Sequence, residues 1–146
     1  MTTPWTLTID CAHPVELARF WALALGYVER EPPTGFATWE AWLRHYEVPE
    51  QEWDDGAALS DPDGVLPNLT FLKVPEPKTA KLRMHFDLQV GGGRDDVPWE
   101  RRWPRVLAAA EKLTAAGATL LVTAEVLGKP DHLVMADPEG NEFCLV

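Results

Sequence analysis

Two near-copies of one turn, Asp61-Pro62-Asp63-Gly64 and Asp137-Pro138-Glu139-Gly140, occupy the same place in two matching successions of elements. One tetrapeptide of this kind is an ordinary turn former and says little. Here each copy lies between two short strand-like runs, and each half also carries an earlier strand followed by a helix that stops at a glycine. Repetition of the whole succession points to a duplicated module. Paired modules tend to enclose a cleft, and clefts are where small molecules bind. A chain of 146 residues is long enough for one full-sized domain or two small fused modules.

In the first half, residues 5–11 alternate with period two, which predicts a strand with Leu7, Ile9 and Cys11 inward and Thr6, Thr8 and Asp10 outward. Pro14 opens a helix where its missing N–H costs nothing, and Gly26 closes it. Its apolar stripe runs through Val15, Leu17, Ala18, Phe20, Trp21, Ala24 and Leu25. A strand begins at Tyr27. An insertion at 31–57 interrupts the plan: Pro32 and Pro33 break the chain, and Phe36, Trp39, Leu43 and Tyr46 fall at helical spacing. The spacing predicts a short inserted helix, then a loop through Trp53 to Gly56. Strands at 57–60 and 68–74 flank the first turn, and Pro75-Glu76-Pro77-Lys78 reads as a linker.

The second half repeats the order. Residues 84–90 form the clearest alternating run, Met84, Phe86, Leu88 and Val90 against His85, Asp87 and Gln89. Gly91-Gly92-Gly93 opens a loop with no helix directly after it, so it does not read as a phosphate loop. A helix is expected from about Pro104 to Ala116, then strands at 118–125, 132–136 and 142–146. Module one thus spans about 4–75 and module two about 82–146, within a single domain. A ferredoxin-like sandwich is the rival, but it leaves the second turn unexplained.

The net charge of −10 argues against nucleic acid, whose phosphates such a chain would repel, and against an anionic membrane surface. No apolar run approaches the ~20 residues that span a bilayer. Met1-Thr2-Thr3-Pro4-Trp5 lacks the basic and apolar regions of a signal peptide, so a cytoplasmic location is expected. The two cysteines, Cys11 and Cys144, fall in predicted strands and make no disulfide framework.

Aligning the halves lays Thr6-Leu7-Thr8-Ile9-Asp10 over His85-Phe86-Asp87-Leu88-Gln89, apolar on apolar and polar on polar. Two opening strands that both carry such polar sets are consistent with a solvated concave face. Further motifs accompany them: Asp10-Cys11-Ala12 leading into the helix that ends Phe20-Trp21-Ala22-Leu23-Ala24-Leu25-Gly26-Tyr27, then Val74 to Lys78 followed by Lys81, Arg83, His85 and Asp87-Leu88, and the closing run from Ala136 to Cys144. Together and in order, over nearly the whole length, these motifs resemble the vicinal oxygen chelate superfamily, in its bacterial glyoxalase-like branch (the glyoxalase/bleomycin resistance/dioxygenase type). The resemblance implies an α+β fold of paired βαβββ modules forming one curved mixed sheet with a central cup. In the superfamily's enzymes a divalent metal in that cup chelates vicinal oxygens of the substrate. Their activities include lyases, isomerases, dioxygenases and thiol transferases, while some relatives only sequester antibiotics.

Carried over position by position, the implied ligand set is incomplete. The first-strand position of module one is Thr6, and its fourth-strand counterpart falls at Phe71 or Leu72, neither of which coordinates a metal. Module two offers His85, which matches, and Cys144 where the enzymes usually carry Glu. Asp87 or Glu142 could fill in. Without a metal, His85 hydrogen-bonded to Asp87 could serve as a general base. Cys144 otherwise reads as a buried strand cysteine, since no local cation activates it, and Cys11 as a core residue.

Lys81 and Arg83 are either anion contacts or solvated linker charges. His45 and His132 read as surface residues and His13 as part of the loop before Pro14. Trp39 and Trp42 form either a lid and pocket wall or a packing stripe. The expected pocket comprises Thr6, Thr8, His85, Asp87, Gln89, Glu142, Cys144, Trp39 and Trp42, with His85 and Asp87 as the acid–base pair. Three functions follow in order: a small-molecule binding protein, a metal-assisted or His85-based lyase, isomerase or dioxygenase, and an interaction module docking through residues 36–53. A homodimer is also expected.

Overall fold

The alternation at the start of the chain becomes strand β1 (Leu7–Cys11), and helix α1 (Pro14–Leu25) follows with Pro14 in its first turn and Gly26 as its left-handed C-cap. The computed structural model describes residues 1–146, which divide into two compact units, Met1–Pro77 and Lys78–Val146. In module one, β2 (Val28–Glu29), β3 (Gly56–Ser60) and β4 (Leu69–Lys73) complete a mixed sheet in the order β1-β4-β3-β2. β1 runs parallel to β4, pairing Leu7 with Leu69 and Ile9 with Phe71, while β3 is antiparallel to β4 and β2 to β3. One face of that sheet carries the buried Leu59, Leu69, Phe71 and Cys11, and α1 covers it with Leu17, Ala18, Phe20 and Trp21. Burying side chains of this size contributes about 1.5–3 kcal/mol each.

Module two repeats the order: β5 (Asp87–Leu88), α3 (Trp99–Ala115), β6 (Thr119–Val126), β7 (Lys129–Ala136) and β8 (Glu142–Leu145), with α2 reserved for the insertion of module one, Trp39–His45. Its sheet has the order β5-β8-β7-β6, with β5 parallel to β8 and the other pairs antiparallel. The same topology as in module one is the structural counterpart of the duplicated sequence. Leu133, Met135, Phe143 and Leu145 lie fully buried beneath Val106, Ala110 and Leu113 of α3. The fold class is therefore mixed α and β, with each module building its own four-stranded mixed sheet.

The repeated turn owes its form to its aspartate. The Asp61 carboxylate accepts from the backbone N–H groups of Asp63, Val65 and Leu66 at 3.1, 3.0 and 2.8 Å. Asp137 accepts from Glu139 N–H and Asn141 N–H, both at 2.9 Å, and from the Asn141 side-chain amide. Gly64 and Gly140 each return an N–H to the aspartate carbonyl from positive φ, 67° and 85°, which glycine adopts without penalty. Asp137 is buried whereas Asp61 reaches solvent, so its donors have no water to fall back on. Asp137→Ala is accordingly expected to cost about 2 kcal/mol and Asp61→Ala distinctly less, measured by urea denaturation; equal losses would contradict this account.

Four expectations need correction. The strand expected over 84–90 is only the two-residue β5, and Met84 is 75 % exposed rather than inward. β5 is an edge strand of its sheet with β8 as its one neighbour, and only Asp87 and Leu88 enter the ladder, opposite Cys144 and Leu145. Helix α3 starts at Trp99, not Pro104, and carries Pro104 inside it. Proline removes one helix hydrogen bond there, but the first turn is pinned to β7, by Trp99 Nε1 donating to the Pro130 carbonyl at 2.6 Å and Arg102 Nη1 to that of Asp131 at 2.7 Å. The loop expected through Trp53 is instead a 3-10 helix, Glu50–Asp55, with Trp53 Nε1 tied to the Val48 carbonyl. His132 is half-buried against Asp131 rather than a plain surface residue.

A candidate metal centre in the second module

Strand alternation and parallel register build the most concentrated group of donor side chains. Phe86 and Leu88 turn to the α3 side of the sheet, so His85, Asp87 and Gln89 share the opposite, open face. On β8, Phe143 and Leu145 are fully buried, which puts Glu142 and Cys144 on that same open face. The register pairs Asp87 with Cys144. His85 Nε2 lies 3.2 Å from Asp87 Oδ1, and one donor atom each of His85, Asp87 and Cys144 falls within 4.8 Å of the others. Lys81 forms an ion pair with Glu142 at the edge of this group.

The electrostatics favour the neutral form of Cys144. Burial pushes the Cys144 thiol above its ordinary pKa, and the neighbouring Asp87 carboxylate, which also hydrogen-bonds it, pushes the same way; Lys81 opposes both. Cys144 is therefore a thiol, not a thiolate, at neutral pH in the absence of a bound cation.

The donor set suits a divalent metal of the zinc type. An imidazole nitrogen, a carboxylate oxygen and a sulfur make three ligands, which leaves an open position of the kind found in catalytic zinc sites. The sulfur disfavours magnesium and calcium, which take oxygen donors.

Other expected site residues are placed as follows. Thr6 precedes β1 and is exposed, and Thr8 is exposed on the face opposite Leu7 and Ile9. Of the two candidates on β4, Phe71 is fully buried in the core, while Leu72 lies opposite Asp10 and is exposed; neither holds a metal. Gln89 is exposed just after β5. Trp39 and Trp42 belong to module one, where they line a cavity of its own. Cys11 is buried as expected, and Arg83 makes only a 3.5 Å contact to the Lys81 carbonyl.

The sequence reading overlooked a second polar group on the α3 side of module two. Asp131, only 5 % exposed at its side chain, receives Arg102 Nη2 at 2.8 Å, Arg94 Nε at 3.0 Å and His132 Nδ1 at 2.9 Å. Asp131 lies 37 positions from Arg94 and 29 from Arg102 in the sequence. The available signal was Arg102 itself, which stands on the stripe Arg102, Val106, Ala110 and Leu113 where an apolar residue belongs. Gly91 has its reason here too: a Cβ at that position would collide with the Arg102 side chain.

A profile of the glyoxalase-like domain family matches residues 6–146. The chain belongs to the glyoxalase-like domain family. No curated protein matches it in sequence. Among solved structures it is similar to a glyoxalase/bleomycin resistance protein/dioxygenase family enzyme from Burkholderia phytofirmans PsJN, with 16% identity, 98% of this chain and 97% of that chain covered, and a TM-score of 0.59. A possible glyoxalase from Bacillus cereus matches at 14% identity over 100% of this chain and 99% of that one, TM-score 0.59. A mutant of the fosfomycin resistance protein FosX from Listeria monocytogenes, complexed with Mn(II) and a dihydroxypropylphosphonic acid, matches at 10% identity over 99% and 89%, TM-score 0.58. At these identities the likeness is one of fold. The glyoxalase-like, vicinal oxygen chelate assignment made from the motifs therefore holds. No helix is long and apolar enough to cross a membrane.

Proposed function

We propose that this glyoxalase-like protein binds a small, oxygen-bearing organic molecule at a divalent metal held by His85, Asp87 and Cys144. The observation that carries the reading is the convergence of these three donors within 4.8 Å on one open sheet face. A metal bound there supplies Lewis acidity toward oxygens of the ligand. Asp87 orients both the imidazole and the thiol, and the Lys81–Glu142 pair keeps a cation and a carboxylate beside the group. Gln89, exposed just after β5, is proposed as a hydrogen-bonding contact to the ligand. The Burkholderia relative is described as an enzyme, which makes chemistry the natural extension, with His85 as a metal ligand or, where no metal is bound, with His85 and Asp87 as an acid–base pair.

A second reading rests on the Cys144 thiol. Protonated and hydrogen-bonded to Asp87, it is not yet a metal ligand, and the same face would then hold an organic molecule without metal or turnover. Elemental analysis of protein purified without chelators, followed by cobalt(II) titration, separates the two. About one metal per chain with a thiolate-to-cobalt absorption band, lost in His85→Ala and Cys144→Ala, supports the metal reading. No binding of zinc, cobalt, manganese or nickel retires it in favour of the metal-free one.

Self-association is part of the same proposal. Leu120, Leu121 and Val122 of edge strand β6 are each about half exposed, which supports a homodimer. Sedimentation velocity of the wild type and of Leu121→Lys tests it: a monomer in both ends the idea.

A further inference from the structure

Module one has a cavity of about 780 Å³ between α1, the insertion and β3, and every residue lining it belongs to that module. We propose that it is a binding site for a planar aromatic cation, separate in composition from the His85–Asp87–Cys144 group. Its volume lies in the range of small-molecule sites, about 300–1,000 Å³.

Three indoles, Trp39, Trp42 and Trp53, line it. Two are held by their nitrogens: Trp39 Nε1 donates to the Arg30 carbonyl at 2.7 Å and Trp53 Nε1 to the Val48 carbonyl at 3.0 Å. Trp39 packs edge-on to Trp42, and Trp42 lies against Tyr46. With their N–H groups satisfied inside the protein, Trp39 and Trp53 have ring surface, not a donor, left to offer a ligand. Ring faces attract cations. Trp53 already does so, with the Arg44 guanidinium 5.1 Å from its ring centre.

The charges point the same way. Glu29, Glu40, Glu52 and Asp54 line the cavity against Arg19 and Arg30, four carboxylates to two guanidiniums. None of the four carboxylates takes part in an ion pair. A net negative lining in a chain of net charge −10 repels an anion and favours a cation. The insertion that builds this wall is the segment that breaks the duplicated plan, and within α2 nothing is fully buried, so its aromatic residues are not accounted for by a core.

The probes are 1-methylquinolinium, quinoline at mildly alkaline pH where it is uncharged, and 2-naphthoate. These are followed by isothermal titration and by tryptophan fluorescence. The cation is expected to bind about tenfold more tightly than neutral quinoline, as a desolvated cation–aromatic contact implies, and the anion not at all. The triple variant E40Q/E52Q/D54N changes only exposed side chains and should erase most of that preference while leaving quinoline binding intact. Trp42→Ala should weaken both. Quinoline binding as tightly as the cation, a preference for naphthoate, an unchanged triple variant, or no binding of any probe up to millimolar concentration would each overturn the proposal.

Discussion

Replacing Asp131 by alanine lowers the unfolding free energy by about 3–5 kcal/mol, the range seen when one partner of a buried ion pair is removed. Domains of this size are stable by only about 5–15 kcal/mol in all, so the variant stands near the edge of folding at ambient temperature. The loss arises because Arg102 is 3 % exposed on the buried face of α3, where no water replaces the carboxylate. Arg102 also has its Nε buried without an acceptor, which makes the pair costly to build as well as to break. The double change Asp131→Leu with Arg102→Met therefore recovers most of the loss, since an apolar pair carries no desolvation penalty. Arg94 is 57 % exposed at its side chain and turns to solvent in that variant. Urea denaturation of the two variants decides it: a single-variant loss under about 1 kcal/mol would show the pair to be effectively solvated.

The same carboxylate sets an acid limit. Its hydrogen bonds from Arg94, and then from His132 and Arg102, outweigh burial and bring its pKa from 3.8 down to about 2. The folded state thus holds this proton more weakly than the unfolded chain does. The stabilisation, about 2 kcal/mol, is complete above pH 4 and is lost as the pH falls from about 4 to about 2. Asp131→Asn should flatten the stability profile in that window.

Cys144→Ala is expected to weaken zinc binding by at least about 100-fold. Removing an outer-shell partner of a metal site already costs about 10–100-fold, and in the proposed site Cys144 would supply the sulfur ligand itself. The protein's own electrostatics add a pH dependence. The thiol's pKa is raised by burial and by Asp87, so coordination must displace a proton held more tightly than usual. Affinity should climb by about tenfold per pH unit through the neutral range, one proton leaving for each metal bound. Cys144→Ala should lose that slope along with the affinity. Competition against a chromophoric zinc chelator between pH 6 and 8 reads both; a pH-independent affinity, or an alanine variant that binds as tightly, means that the sulfur is not a ligand.

Much of this architecture was already written in local pattern. Pro14 and Gly26 bound α1 because each acts through its own backbone, and β1 faces as its alternation requires because the pleat has period two. The paired turns were legible because an aspartate bonding the next few N–H groups, with a glycine at positive φ, is entirely local. His85 and Asp87, two apart, had to share a face wherever they fell.

Their meeting with Cys144 lay beyond local pattern, since it depends on the parallel register that sets Asp87 opposite it. The length of β5 was likewise not local: seven alternating residues yield a two-residue ladder in a strand paired on only one side in its sheet. The start of α3 ahead of Pro104 and the burial of Arg102 with Asp131 come from contacts to β7, which outweigh the local signals of proline and charge. Capping, turns and strand faces depend on neighbours in the chain and so belong to the sequence. Pairing, burial of charge and the gathering of donors depend on residues brought close only by folding, and these the tertiary structure decided.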